Sequence, residues 1–85
     1  MKIKEEYHIK SENGQNIIAC DSKNPENVIV LGNTATLLFH FAKEKDRSET
    51  EMLEYLLENT DISTVLALND LNVFIKLMKE NDIFE

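Results

Sequence analysis

The spacing of apolar residues changes at Gly32, and this change constrains the fold more than any other feature of the chain. Before Gly32 the apolar side chains alternate or form short runs, which is typical of strands. After Gly32 they recur about every 3.6 residues, which is typical of helices. Strands are predicted at residues 7–10, 15–20 and 27–31. The order predicts an α+β fold in which three strands precede three helices.

Local signals predict where these elements begin and end. Asn13-Gly14, the key pair in the predicted turn at residues 11–14, favours a tight hairpin between the first two strands. Asn33 or Thr34 is expected to cap the first helix. Ser48, followed three residues later by a glutamate, matches a capping box at the start of the second helix.

The third helix, predicted to begin at Ser63 or Thr64 and to end at a left-handed Asn81, has too many apolar residues for one face. With about 100° between successive residues, a first stripe lies within an arc of about 120°, the normal width of a core-facing surface. The first stripe comprises Ala67, Leu68, Leu71, Phe74, Ile75 and Met78. A second stripe lies about 140° away, with an aspartate between the two stripes. The second stripe comprises Leu66, Val73 and Leu77, and the aspartate is Asp70. The second stripe needs another element of the chain, or a partner, to cover it.

Length and charge narrow the classes of function. The 85 residues fit a single domain spanning residues 1–85. Sixteen acidic residues against nine basic ones give a net charge of −7, which disfavours binding to nucleic acid or to anionic membranes. A basic or neutral peptide partner remains compatible with this charge. No apolar run approaches the roughly 20 residues of a membrane span, and no signal-peptide pattern is present, so a cytoplasmic protein is expected.

Residue types that carry catalysis or bind metals do not form a recognisable constellation. His8 and His40 are far apart and have no cysteine at ligand spacing. The two glycines, Gly14 and Gly32, cannot form a phosphate-binding loop. Cys20 follows an apolar run and is expected to be a small buried residue. We therefore predict a non-enzymatic protein without a cofactor or metal.

The third predicted strand is apolar on both faces, which is unusual for a short strand in a small protein. If this strand lies at a sheet edge beside the second stripe, the two surfaces form a groove that could accept an extended peptide as an additional strand. Asp70 would lie at the rim, where it could meet a basic side chain. The candidate site residues are Val28, Ile29, Val30, Leu31, Leu66, Asp70, Val73 and Leu77. Alternatively, the first strand or a chain terminus covers this surface, or the second stripe is a homodimer contact.

A family resemblance rests on features along the whole chain. Residues 30–39 contain an apolar strand ending in leucine, an asparagine at the helix start, and then small and large apolar residues. A long last helix with spaced apolar residues follows, and residues 81–84 end in two apolar residues. Tyr7 and the hairpin fit the N-terminal strands. On these features the chain resembles the family of coenzyme PQQ synthesis protein D, also called the RiPP precursor peptide recognition element. Gly32 and Phe39 depart from the family pattern.

The resemblance implies a fold, a ligand and a partner. The family fold is a small winged helix-turn-helix with three strands and three helices. Its members bind the leader segment of a ribosomally synthesised precursor peptide as an extra strand along the third strand, against the third helix. They present the precursor to a modifying enzyme, commonly a radical S-adenosylmethionine enzyme, a cyclase or a leader peptidase. For this chain, the resemblance implies a peptide chaperone, whether monomer or homodimer.

Two other functions remain open on the sequence alone. A winged-helix regulator would read DNA through the polar face of the last helix, although Asp70, Glu80 and the net charge oppose this. A structural or dimerisation domain would use the second stripe as a symmetric interface.

Overall fold

The computed structural model describes residues 1–22 and 28–85. Three strands precede three helices, as the sequence predicts: β1 (Tyr7–Glu12), β2 (Gln15–Cys20), β3 (Val30–Leu31), α1 (Asn33–Glu44), α2 (Glu49–Asn59) and α3 (Thr64–Glu80). The strands form an antiparallel sheet in the order β1-β2-β3. The predicted α+β fold is therefore confirmed. Within the described residues, no helix is long and apolar enough to cross a bilayer.

The hairpin between β1 and β2 is tighter than the sequence predicts. Asn13 and Gly14 have φ values of 53° and 76°, the left-handed conformation that a two-residue hairpin loop requires at both positions. Glu12 pairs with Gln15 directly across this loop. The predicted turn at residues 11–14 is thus confined to Asn13 and Gly14, and β1 extends two residues further.

By contrast, β3 is shorter than the predicted strand at residues 27–31. Only Val30 and Leu31 form the strand, although the Ile29 carbonyl also accepts a bond of 3.0 Å from the Ile18 amide. Val28 is 65% exposed, so burial does not hold that end of the segment against the sheet. Asn27, the first residue of the predicted strand, lies outside the described residues.

All three strands and all three helices contribute side chains to one apolar core. From α3 the buried residues are Ala67, Leu71, Phe74, Ile75 and Met78. This confirms the first stripe except for Leu68, which is 43% exposed. Leu68 lies at the margin of the predicted arc, where the helix surface turns away from the core.

The start of α1 differs from the prediction. Its N-cap is Gly32, which offers no side chain to the first turn, and the two predicted caps, Asn33 and Thr34, lie inside the helix. The Thr34 hydroxyl instead donates to Asp70 on α3, at 3.1 Å. Because Asn33 and Thr34 lie after the N-cap position, neither side chain is placed to accept from the amides of the first turn.

The start of α3 matches the prediction and its end differs by one residue. Ser63 is the N-cap and accepts from the Leu66 amide at 3.3 Å. Asn81 ends the helix with φ of −101°, and the left-handed residue is Asp82, with φ of 54°. The amide of Asn81 already bonds back to the helix, so the chain reverses one residue later.

Both ends of the described chain pair with each other. Ile3 forms an antiparallel bridge with Phe84, and the Lys4 amide donates to the Ile83 carbonyl at 2.9 Å. Ile3 and Ile83 are both buried. These contacts occupy the C-terminal residues, while β1 lies at the sheet edge opposite β3. The first strand therefore does not cover β3, and Leu66 and Val73 of the second stripe are exposed.

The capping box of α2 gives a first test of the fold. Ser48 Oγ accepts from the Glu51 amide and a Glu51 carboxylate oxygen accepts from the Ser48 amide, both at 3.1 Å, and this second bond is the main reason that the pKa of Glu51 is lowered. We expect Ser48→Ala to lower the free energy of unfolding by about 1 kcal/mol, measured by urea denaturation. Thr50→Ala, an exposed change in the same turn, is the control. An equal effect of both variants would contradict a specific role of the cap.

Candidate peptide-binding groove

In the part of the chain that the structure describes, one edge of β3 is unpaired. In the sheet order β1-β2-β3, β3 pairs with β2 on one side only. Among the described residues, no strand or bridge pairs with its other side. The structure therefore places the third strand at a sheet edge, as the groove hypothesis requires.

The register identifies the backbone groups that face this open edge. Ile17 pairs with Val30, and the Ile18 amide donates to the Ile29 carbonyl. In an antiparallel ladder, residues whose backbone groups point to the partner strand alternate with residues whose groups point away from it. Ile29 belongs to the first kind, so Val30 directs its N–H and C=O outward. Val30 is the residue of β3 that can form backbone bonds with an added strand.

The side chains of the third strand divide between the two faces of the sheet. Leu31 is 4% exposed and Ile29 packs against the core, so both point inward. Val28 and Val30 are 65% and 49% exposed and lie on the outer side. Leu31 has its side chain in the core and, by the same alternation, its backbone directed at β2. It supports the open edge from within, and its part in binding stays a prediction.

The second stripe on α3 is largely uncovered. Leu66 is 55% exposed and Val73 is 59% exposed, whereas Leu77 is partly buried against the core. Asp70 is half-buried between them. The four residues follow one another at spacings of four, three and four, which keeps them in one line along the helix.

A hydrogen bond connects Asp70, one residue of this line, to the start of α1, which follows β3. Thr34, which donates to Asp70 Oδ2 at 3.1 Å, lies in the first turn of α1, three residues after Leu31. The bond places Asp70 beside the start of α1, and the assignment of the strand edge and the helix surface to a common site stays a prediction. Sequence reasoning missed Thr34, because a pair 36 residues apart leaves no local signal.

The charge of Asp70 also suits its position at α1. The first turn of α1 contains no acidic residue, and no side chain caps it. The unpaired amides of a helix start carry partial positive charge, so a carboxylate beside them is favourable. Asp70 thus supplies from α3 the negative charge that the first turn of α1 lacks.

The described side chains that could bind a metal ion or act in catalysis do not form a cluster. Among residues 1–22 and 28–85, no group of three or more potential ligands could hold a metal ion. His8 lies 3.3 Å from Asp21 at the surface. Cys20 is only partly buried, contrary to the prediction, and its Sγ lies 3.4 Å from Ser22 Oγ, because the end of β2 is open to polar neighbours.

The order of elements, with three antiparallel strands before three helices, defines a class of small α+β proteins, and a solved structure of this class is similar over its full length. It is TbiB1 in complex with the TbiA(beta) leader peptide, with a TM-score of 0.73 and 13% sequence identity, covering 100% of this chain and 95% of that chain. At this identity the likeness shows the fold alone. No family model matches the chain, and no curated protein matches it in sequence. The resemblance to precursor-recognition proteins is thus supported at the level of the fold, without support for the PQQ family in particular.

Proposed function

We propose that the chain binds the leader segment of a ribosomally synthesised precursor peptide and presents it to a modifying enzyme, without catalysing a reaction itself. The leader adds as a strand to the open edge of β3 and packs against the second stripe of α3. Residues 1–85 act as one recognition domain. The proposal is supported by two features of the described residues, an unpaired edge of β3 and exposed apolar side chains on α3, and by the bond from Asp70 on α3 to Thr34, just after β3.

The two surfaces supply different parts of the binding energy. Val30 offers outward backbone groups, which bond to any strand regardless of its sequence. Leu66 and Val73 offer exposed apolar surface, and covering both would contribute on the order of 2 kcal/mol, since fully burying one such side chain contributes about 1.5–3 kcal/mol and each is already partly buried. Since the backbone contribution is indifferent to sequence, the apolar line on α3 selects the leader.

The charge of the chain favours leaders that are neutral or basic. A net charge of −7 attracts cationic segments over distances of about one Debye length, roughly 8 Å at physiological salt. The same charge disfavours duplex DNA, which must be bound through Lys and Arg. The proposal therefore ranks above a winged-helix DNA regulator.

The comparison adds support at the level of the fold. TbiB1 has a similar fold and was solved in complex with a leader peptide. The class of modifying enzyme comes from the sequence resemblance alone: a radical S-adenosylmethionine enzyme, a cyclase or a leader peptidase. Such an enzyme would act together with this chain in the cytoplasm.

The test is an amide NMR titration of the labelled protein with synthetic leaders encoded beside its gene. We expect shifts at residues 28–31 and along Leu66, Asp70, Val73 and Leu77, with the Val30 amide protected from exchange in the complex. Shifts confined to α2 would reject this groove. If no leader causes shifts, sedimentation shows a dimer, and the Val73 amide is protected in that dimer, the second stripe is a self-association surface. The proposal is then wrong.

A further inference from the structure

We propose that Asp70, held in place by Thr34, makes the groove selective for a strand that carries a lysine or arginine beside the C-terminal end of β3. This inference rests on the proposed function and specifies the chemistry of its ligand. Asp70 is the specificity-determining residue, and Thr34 is a positioning residue that acts through it.

Asp70 has one carboxylate oxygen available to a ligand. The Thr34 hydroxyl donates to Oδ2 at 3.1 Å, and within residues 1–22 and 28–85 no other hydrogen bond or ion pair reaches Asp70. This bond fixes the carboxylate against α1 and leaves Oδ1 for a further donor. A carboxylate can accept several hydrogen bonds, and those from ammonium or guanidinium groups are the strongest.

The apolar neighbours of Asp70 make its free carboxylate oxygen selective for a cationic side chain. Leu66 precedes it by one turn of α3 and Val73 follows it by about one turn, and both are exposed apolar residues. A peptide that covers both must also remove water from the carboxylate between them. Removing water from an unpaired charge costs free energy, and a cationic partner compensates for this cost. A neutral or acidic side chain at this point is therefore penalised, which is how a binding site rejects wrong ligands.

Thr34 determines where along the bound strand the basic residue falls. It lies in the first turn of α1, after Gly32 and Asn33 have carried the chain away from β3. The carboxylate that it holds is therefore next to the C-terminal end of β3. A strand paired with Val30 passes this point within a few residues, since each residue of a strand advances about 3.3 Å.

A random-peptide library displayed on yeast tests the inference without knowledge of the natural leader. Selection with the wild-type protein is expected to enrich Lys or Arg at one position relative to the apolar residues. Selection with Asp70→Asn, which keeps the shape and can still accept from Thr34, should lose this preference, and Asp70→Lys should replace it with Asp or Glu. For one selected peptide, changing the basic residue to glutamine should weaken binding about tenfold to the wild-type protein and little to Asp70→Asn.

Three further variants separate selectivity from structure. Glu54→Gln removes one negative charge from an exposed position on α2 and should leave the preference unchanged. Thr34→Val should weaken the preference and Thr34→Ser should restore it, which a change in fold stability alone would not produce. Enrichment of peptides without any basic preference would overturn this inference while the proposed function stands. No enrichment beyond that obtained with Val73→Glu would overturn both.

Discussion

Phe74→Ala is expected to lower the free energy of unfolding by about 3–5 kcal/mol, the usual cost of removing a buried aromatic ring. Phe74 is 1% exposed, and its ring meets Phe84 edge to face with centroids 6.1 Å apart. Phe84 belongs to the pairing of the chain ends, so the change loosens both the α3 core and that pairing. Urea denaturation followed by circular dichroism measures the loss. Because small domains have total stabilities of about 5–15 kcal/mol, the variant should be largely unfolded at modest urea concentrations.

The control for this change is Lys76→Ala, two residues further along the same helix. Lys76 is exposed, and its contact with Glu80, at 3.9 Å, is an i,i+4 surface pair worth about 0.3–0.5 kcal/mol. A loss below about 1 kcal/mol for Phe74→Ala would mean that the face of α3 assigned to the core is wrong.

Val73→Glu, next to Phe74 in sequence, is expected to weaken leader binding and to leave the stability of the fold nearly unchanged. Val73 is 59% exposed, so the folded state should change in stability by less than about 0.5 kcal/mol. Leader binding should weaken at least about a hundredfold, because a bound strand would cover a second carboxylate that has no partner. Fluorescence anisotropy of a labelled leader measures the affinity, and urea denaturation measures the stability of the same sample.

Asn72→Glu is a matched control for this variant. It adds the same charge to an exposed position of α3, and Asn72 lies about 100° from Val73 on the helix, away from the second stripe. We expect its affinity to fall only by the small amount that follows from one more negative charge on the chain. Equal losses for both variants would show that net charge, rather than the groove, controls binding. Unfolding of Val73→Glu would show that the second stripe is part of the core.

The parts of the fold that depend on local chemistry could be predicted from the sequence. The Asn13-Gly14 loop follows from the left-handed conformations that these residues accept, and the Ser48–Glu51 capping box follows from a three-residue spacing. The two stripes of α3 follow from the geometry of a helix, which fixes the face of each residue once the helix is assigned. In each case neighbours in sequence determine the result.

The remaining features depend on contacts between distant residues. The length of β3 is determined by where β2 and the core stop supporting the chain, which no pattern within residues 27–31 reveals. The bond from Thr34 to Asp70 joins positions 36 residues apart. Thr34 looks like a helix cap in sequence, and only the packing of α3 against α1 shows that its hydroxyl is used elsewhere. The second stripe itself could be predicted, but neither its exposure nor the bond from Asp70 to α1 could.

The short length of β3 also affects how readily copies of the protein associate at high concentration. Long, flat sheet edges recruit one another, and many proteins protect themselves by keeping such edges short. Here β3 has two residues, and Val30 alone directs its backbone outward. Another copy of the chain, or an unrelated unfolded segment, would gain too few backbone bonds to remain attached. Concentrated solutions should therefore stay free of β-sheet polymers that form through β3, although the described residues leave its outer edge unpaired.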